Sequence, residues 1–232
     1  MIALPGFSGH LISQSFLETA LTEGWDEPRR TAMARGREAI VRWRRSGEWL
    51  GPASTVQTLW HTAAVPLVNA LGFERPTAVE HIDSVLAGTI RAGAHPVVLL
   101  VAPWDARLHA LWRVAVTQAM RRSAVWSLLF NGTHLRIVDA GRLYARRFVD
   151  FDIDLALGYD RAFQAFWTLL HVSAFSGETG AQSRLQTLVE ASHHHAVAVS
   201  QSLREGVLTA SAAILRALLN TNRARGTSTS VG

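Results

Sequence analysis

The chain has 232 residues, 48% of them hydrophobic, with a formal charge of +5 and no cysteine, which is enough for one large or two small domains with a core. It has no run of about 18 uncharged apolar residues and no charged n-region ahead of an apolar stretch, so neither a membrane span nor a signal peptide is expected and the reading is of a cytoplasmic protein. All 23 Lys+Arg positions are arginine, which removes a Gly-Lys-Ser/Thr phosphate loop, a Schiff-base lysine and the lysine of a metal-dependent nuclease; the positive balance favours an acidic partner, nucleic acid first.

Residues 1–24 predict a Pro/Gly turn and then a docking helix started by Ser13, with Ile12, Phe16, Leu17 and Leu21 as its apolar stripe. A second helix is expected over residues 27–46, with Pro28 in its first turn and Gly47 past its end. It carries Arg29, Arg30, Arg35, Arg37, Arg42, Arg44 and Arg45 against one glutamate, Glu38, with Trp43 and Trp49 in or beside it. Such a run serves either as a solvated face paired with carboxylates elsewhere or as a phosphate-contacting face. Ser54 is the expected cap of a helix to residue 71 that Pro66 kinks or divides, and Gly72 ends it. Residues 74–80 read as a loop or short edge strand, and 81–91 fit a helix or a strand.

The most informative stretch is 95–154. Residues 97–101 form a β-branched apolar run buried on both faces, and a helix is expected from about 106 to 122. Residues 125–130 give a second such run, Asn131 and Gly132 favour a tight hairpin, and 135–138 return antiparallel. A turn over 139–142 leads to a strand over 143–152. The pattern gives a mixed sheet with a helix packed on it.

Residues 160–173 predict a helix capped by Asp160, with Phe163, Phe166, Trp167 and Leu170 in the core. A linker follows at 176–180. Beyond it, 183–219 is one long helix or a pair interrupted near Glu205 and Gly206, and 220–232 reads as a disordered polar tail.

Chemical signals are sparse. His193, His194 and His195 invite a metal reading, but consecutive helical residues point about 100° apart, and only Glu190 with His194 has the four-residue spacing of a helical ligand pair. There is no Gly-x-Ser-x-Gly elbow and no Gly-rich dinucleotide loop after a strand. Neither a metal site nor an enzyme complete in this chain is therefore expected.

The order of LGPASTVQTLWHTAAVPLVNALGF (50–73), VVLLVAPWDARLHALWRVAVTQAM (97–120), WSLLFNGTHLRIVDA (126–140), RRFVDFDIDLAL (146–157), FQAFWTLLHVSAF (163–175) and the helix over 183–219 resembles the N-terminal region of fused (type IIG-like) restriction-modification methylases. In these a nuclease-like domain precedes an adenine-specific DNA methyltransferase. The resemblance implies an α/β fold with a mixed β-sheet and flanking helices like a degenerate PD-(D/E)XK nuclease core, followed by a long C-terminal helical segment. In that family a carboxylate on one strand and a Glu-x-Lys on the next hold magnesium. Asp83 matches the first position and Gln118 a glutamine on the following helix, whereas residues 97–101 supply neither acid nor lysine; Asp105, just past that strand, is the alternative acid. These three are vestigial candidates, with no catalytic residue assigned.

The resemblance also implies that S-adenosylmethionine and magnesium belong to the parent family and not to this chain. The methyltransferase motifs are absent up to Leu219, so the partner is a C-terminal methyltransferase domain or a separate chain. The expected organisation is a basic helical segment over 1–50, a nuclease-like core over 51–176, a connector helix or helix pair over 177–220 and the tail over 221–232. The expected function is a non-catalytic DNA-contacting module for restriction and modification, using Arg29, Arg30, Arg35, Arg37, Arg42, Arg44, Arg45, Arg136, Arg142, Arg146 and Arg147 on phosphates. A protein-interaction scaffold and an active nuclease with a rearranged metal site are the alternatives.

Overall fold

The computed structural model describes residues 4–21, 26–142, 145–177 and 182–227, with side chains as far as Ala217. It is an α/β structure built on one seven-stranded mixed sheet. In chain order the strands are β1 (Phe7–Gly9), β2 (Thr77–Ile82), β3 (Val85–Ala92), β4 (His95–Val101), β5 (Trp126–Phe130), β6 (His134–Asp139) and β7 (Phe148–Asp152). Across the sheet they run β1-β7-β6-β5-β4-β3-β2. Every neighbouring pair is antiparallel except β4 with β5.

The parallel pair needs a crossover, which a 3-10 turn (Leu108–Leu111) and helix α5 (Trp112–Arg121) supply. Residues of β4 alternate between the two faces: Val97, Leu99 and Val101 enter the larger apolar core, and Val98 and Leu100 enter the smaller one beneath α5. Burial on both faces explains why this strand reads as an unbroken apolar run.

The larger core is roofed by helices α1 (Gln14–Ala20), α2 (Glu27–Ser46), α3 (Val56–Thr58), α4 (Val65–Ala70), α6 (Ile153–Gly158), α7 (Asp160–Leu170), α8 (Val172–Phe175) and the start of α9 (Arg184–Thr227). Leu17 of α1 and Ile40 and Trp43 of α2 belong to the same core as Phe130, Phe151 and Phe166. Helices α1 and α2 therefore pack onto the same core as the sheet.

Several boundaries differ from expectation for local physical reasons. The segment after the Pro5 and Gly6 turn forms β1, which exists through its pairing with β7, Phe7 opposite Phe151. Ser13 does cap α1, accepting from the Phe16 amide, but Thr55 and not Ser54 caps α3, its hydroxyl accepting from the Thr58 amide at 3.1 Å. Between α3 and α4 lies a π-helical turn, Leu59–Ala64. Pro66 has no amide hydrogen and its ring crowds the preceding turn, and the wider π turn gives it room. Gly72, at φ +89°, closes α4.

Residues 77–92 are the β2–β3 hairpin, with a register shift between Thr77 and Glu80. The β5–β6 loop holds Asn131, Gly132 and Thr133, and only Gly132 takes a positive φ. Of the strand expected over 143–152, Phe148–Asp152 forms β7, which ends where Asp152 accepts from the Leu155 amide and starts α6, while 145–147 are not strand; Leu143 and Tyr144 lie outside the described residues. Asp160 is the first residue of α7 and not its cap. Helix α9 is continuous past Glu205 and Gly206 and extends to Thr227, beyond the Asn220 where the polar tail was expected to begin. Among the described residues no helix is long and apolar enough to cross a membrane.

Candidate nucleic-acid interface

Helix α2 starts at Asp26, whose carboxylate accepts from the Arg29 amide at 3.0 Å, and Glu27 pairs with Arg30 at 3.0 Å. Its inner face is set by packing. Gly36 lies where any Cβ would stand 2.1 Å from the Trp167 ring, and Trp43 donates its indole N–H to the Ala63 carbonyl at 2.9 Å.

This orientation divides the seven arginines. Arg37 lies beside the inner face, pairing with Asp160 at 2.5 Å, donating to the Leu157 carbonyl at 2.9 Å and standing 5.4 Å from the Phe163 ring centre. Arg44 forks onto both carboxylate oxygens of Asp154, at 2.7 and 2.6 Å, and donates to the Gly132 carbonyl at 3.0 Å. Arg35, Arg42 and Arg45 project to solvent with Glu38 and belong to none of the ion pairs among the described residues. Positions 35, 38, 42 and 45 fall on one face by the helical period. Arg29 lies near Arg184, and burial together with that neighbouring charge lowers the Arg184 pKa below its ordinary value.

The arginines of the β6–β7 region also separate. Arg136 sits opposite Asp150 in the β6–β7 register, pairs with it at 2.6 Å and stands 4.3 Å from the Phe148 ring centre, with both partners largely buried. Its guanidinium is thus engaged in a largely buried ion pair. Arg142 is exposed at the rim of a cleft shared with Asp139. Arg146 is exposed with φ +45°, and Arg147 is half-buried, its carbonyl accepting from the Asp139 amide at 3.1 Å.

The three vestigial candidates do not converge. Asp83 is exposed in the two-residue β2–β3 turn at φ +49°, and the register of Leu86 opposite Val101 puts that turn at the end of the sheet where β4 finishes. Asp105, at φ +53°, lies at the same end after β4. Its amide donates to the Asn131 carbonyl at 2.9 Å, and its carboxylate accepts from Thr133 Oγ1 at 3.4 Å. Gln118 is buried on α5, where its Oε1 accepts from Arg122, which pairs with Glu80 of β2 at 2.7 Å. That glutamine belongs to a brace between helix and edge strand.

Sequence reading missed what Asn131 does beyond turning the chain. Its Oδ1 accepts from the Thr133 and His134 amides at 3.1 and 2.7 Å, and its Nδ2 donates to the Ala106 carbonyl at 2.9 Å. The β5–β6 turn is thus fixed to the segment after β4, Trp104 covers Gly132, and Arg44 holds the same turn from α2. An Asn before Gly signals a turn, but nothing local announces the long-range bond. His193 and His194 are exposed on α9, His195 lies 5.8 Å from the Phe16 ring, and among the described residues no three His, Asp or Glu side chains are grouped to hold a metal.

Under the first turns of α9 two adjoining clefts of about 230 Å³ each share Val125, Trp126 and Gln186; one reaches His95 and Ser183, the other Asp139 and Glu190. Burial pushes the Asp139 pKa up, against the opposing Gly141 amide hydrogen bond and the Arg142 and Arg147 charges. A carboxyl whose pKa is raised on folding stabilises the fold while protonated and loses that contribution as pH rises through the folded pKa. Asp139→Asn is therefore expected to raise the melting temperature at pH 7 and to leave it nearly unchanged at pH 3. Equal effects at both pH values would assign the change to hydrogen bonding and not to charge burial.

No protein-family model, curated protein or solved structure matches the chain.

Proposed function

We propose that the chain is a DNA-contacting module on a nuclease-like sheet, without cleavage chemistry of its own, that serves a restriction-modification methylase. The observation that carries this reading is the division of labour on α2. Arg37 and Arg44 anchor the helix through Asp160 and Asp154, and Arg35, Arg42 and Arg45 remain free on the outer stripe, with the exposed Trp49 just beyond it. Free guanidinium groups at helical spacing suit successive phosphates, and a base or sugar can pack on an exposed indole.

The sheet supports the nuclease-like comparison in its arrangement. The strand that follows Asp83 and the strand expected to carry Glu-x-Lys are antiparallel neighbours, β3 and β4, and the helix bearing Gln118 crosses from β4 to its parallel neighbour β5. At the end nearest Asp83 and Asp105, β4 presents Leu99, Leu100 and Val101, all fully buried. The strand has no acid there to share a divalent cation with either aspartate. Arg44 ties α2 to the turn at this same end of the sheet.

The test is a salt titration of binding to a short duplex of arbitrary sequence, with and without magnesium. Binding should weaken steeply with salt, and Arg35→Ala, Arg42→Ala and Arg45→Ala together should flatten the log K against log salt slope by roughly 0.9 for each phosphate that is no longer neutralised. An unchanged slope removes α2 from the interface. Magnesium-dependent cutting that Asp105→Ala abolishes would replace this reading by the active-nuclease one. A second reading, a scaffold that docks on protein, is favoured by one observation, the exposed apolar residues of α9.

A further inference from the structure

Helix α9 changes character along its length. Its base is docked: Leu185, Val189 and Ser192 are buried, and Ser192 Oγ accepts from the Ser13 amide at 2.9 Å. From His193 to Ala217 every residue is exposed. Within that stretch Val197, Val199, Leu203, Val207, Leu208, Ile214 and Leu215 keep between 42% and 66% of their surface in water. Between Ala196 and Arg216 the only charged residues are Arg204, Glu205 and Arg216. A solvated helix normally carries an interspersed charged face, and an apolar strip of this extent left in water marks an interface.

The spacing identifies the covering element. Ala196, Ser200, Leu203, Val207, Ala210 and Ile214 follow each other by four, three, four, three and four residues, the seam of a coiled coil, and Val197 and Val199 border it on its two sides. This period calls for another helix with the same period. We propose that the projecting part of α9 pairs with the same segment of a second copy of this chain, antiparallel. Three features support that occupant and that direction.

The flanking positions bring no block of like charge against its own image, and Gly206, with nothing within 4 Å of a Cβ placed on it, leaves room for close approach. At roughly 60–120 Å² for each large apolar side chain, the five on or beside the seam, Val197, Val199, Leu203, Val207 and Ile214, offer on the order of 300–600 Å² per copy, which reaches the lower end of specific interfaces and suits a dimer that dissociates on dilution. Val189 lies one heptad before Ala196 on the seam, and it is already buried in the chain's own core. A parallel partner continuing along the base would collide with the domain there, whereas an antiparallel partner ends at it. A register centred between Leu208 and Thr209 sets Leu203 against Ile214 of the other copy and Val207 against Ala210.

Sedimentation equilibrium of the whole chain tests this. The expected mass is twice 25.4 kDa, dissociating on dilution. The double substitution Val207→Arg with Ile214→Arg should give the single mass with unchanged far-ultraviolet circular dichroism and melting of the sheet domain, since neither side chain packs on it. Ala212→Arg, on the opposite face, should leave the dimer intact. A parent chain that stays single at its highest soluble concentration overturns the proposal, as does a dimer that survives the seam substitutions or an Ala212→Arg variant that dissociates equally. Because the chain has no cysteine, mixing Leu203→Cys with Ile214→Cys and oxidising should link the two variants to each other. Linkage of Leu203→Cys to itself would overturn the antiparallel register.

Discussion

Replacing Asp150 by alanine is expected to cost about 3–5 kcal/mol of folding stability, the usual penalty for leaving a buried charge without its partner. Arg136 and Asp150 face each other across β6 and β7, their side chains are 11% and 12% exposed, and the guanidinium is held between the carboxylate and the Phe148 ring. Arg136 Nε and Asp150 Oδ1 have no hydrogen-bond partner, so the pair depends on a single strong contact. Denaturant unfolding would measure the loss. Removing both charges, as Arg136→Met with Asp150→Leu, should cost much less than Asp150→Ala alone, because no uncompensated ion is then buried. A single-variant loss below about 1 kcal/mol, the range of exposed pairs, would mean that water reaches the pair. Under the proposed DNA-contacting role, the salt dependence of binding should not change in the double variant, since the Arg136 guanidinium is held by Asp150 and Phe148.

Trp43→Ala should cost a similar amount, about 3–5 kcal/mol for truncating a buried Trp, and under the proposed DNA-contacting role it should also weaken binding to a duplex. Trp43 is the residue by which α2 enters the core. Its ring centre lies 6.3 Å from that of Phe130, and its N–H satisfies the Ala63 carbonyl within the π turn. Trp43→Phe keeps much of the packing and removes the hydrogen bond, so a loss near 1 kcal/mol is expected, roughly the net worth of one such bond. If Trp43→Ala lowers stability while the salt slope of the remaining folded protein is untouched, the arginine stripe does not depend on how α2 is seated.

These two sites show what the sequence can and cannot reveal. Helix α2 was legible at both ends, because Pro28 and Gly47 punctuate it. The β4–α5–β5–β6 unit was legible because runs buried on both faces leave few alternatives. Which arginine does what was not legible. Arg42 and Arg44 look alike in sequence, and the difference lies in Asp154, 110 residues away. Arg136 likewise reads as an available cation until β7 is set beside β6. The β2–β3 strands were left open between alternatives and their turn was not found, because that turn uses Asp83 at positive φ and β2 is bulged near Ala78, also at positive φ; both are conformations that ordinary residues signal poorly.

The place of β1 in the sheet has a consequence for how the protein is made. Phe7 pairs with Phe151 and Gly9 with Val149, so β1 leaves the ribosome well before the strand that is its only sheet neighbour among the described residues. At about 5–20 residues per second, its wait is on the order of ten seconds or more. During that interval the β2–β3–β4 meander can close through local contacts, whereas β1 and the docking of α1 carry the high contact order of the molecule. Strand β1 therefore acts as a late latch: a nascent chain stalled before β7 would hold a partial sheet with β6 as an open edge, the state most exposed to pairing with another chain.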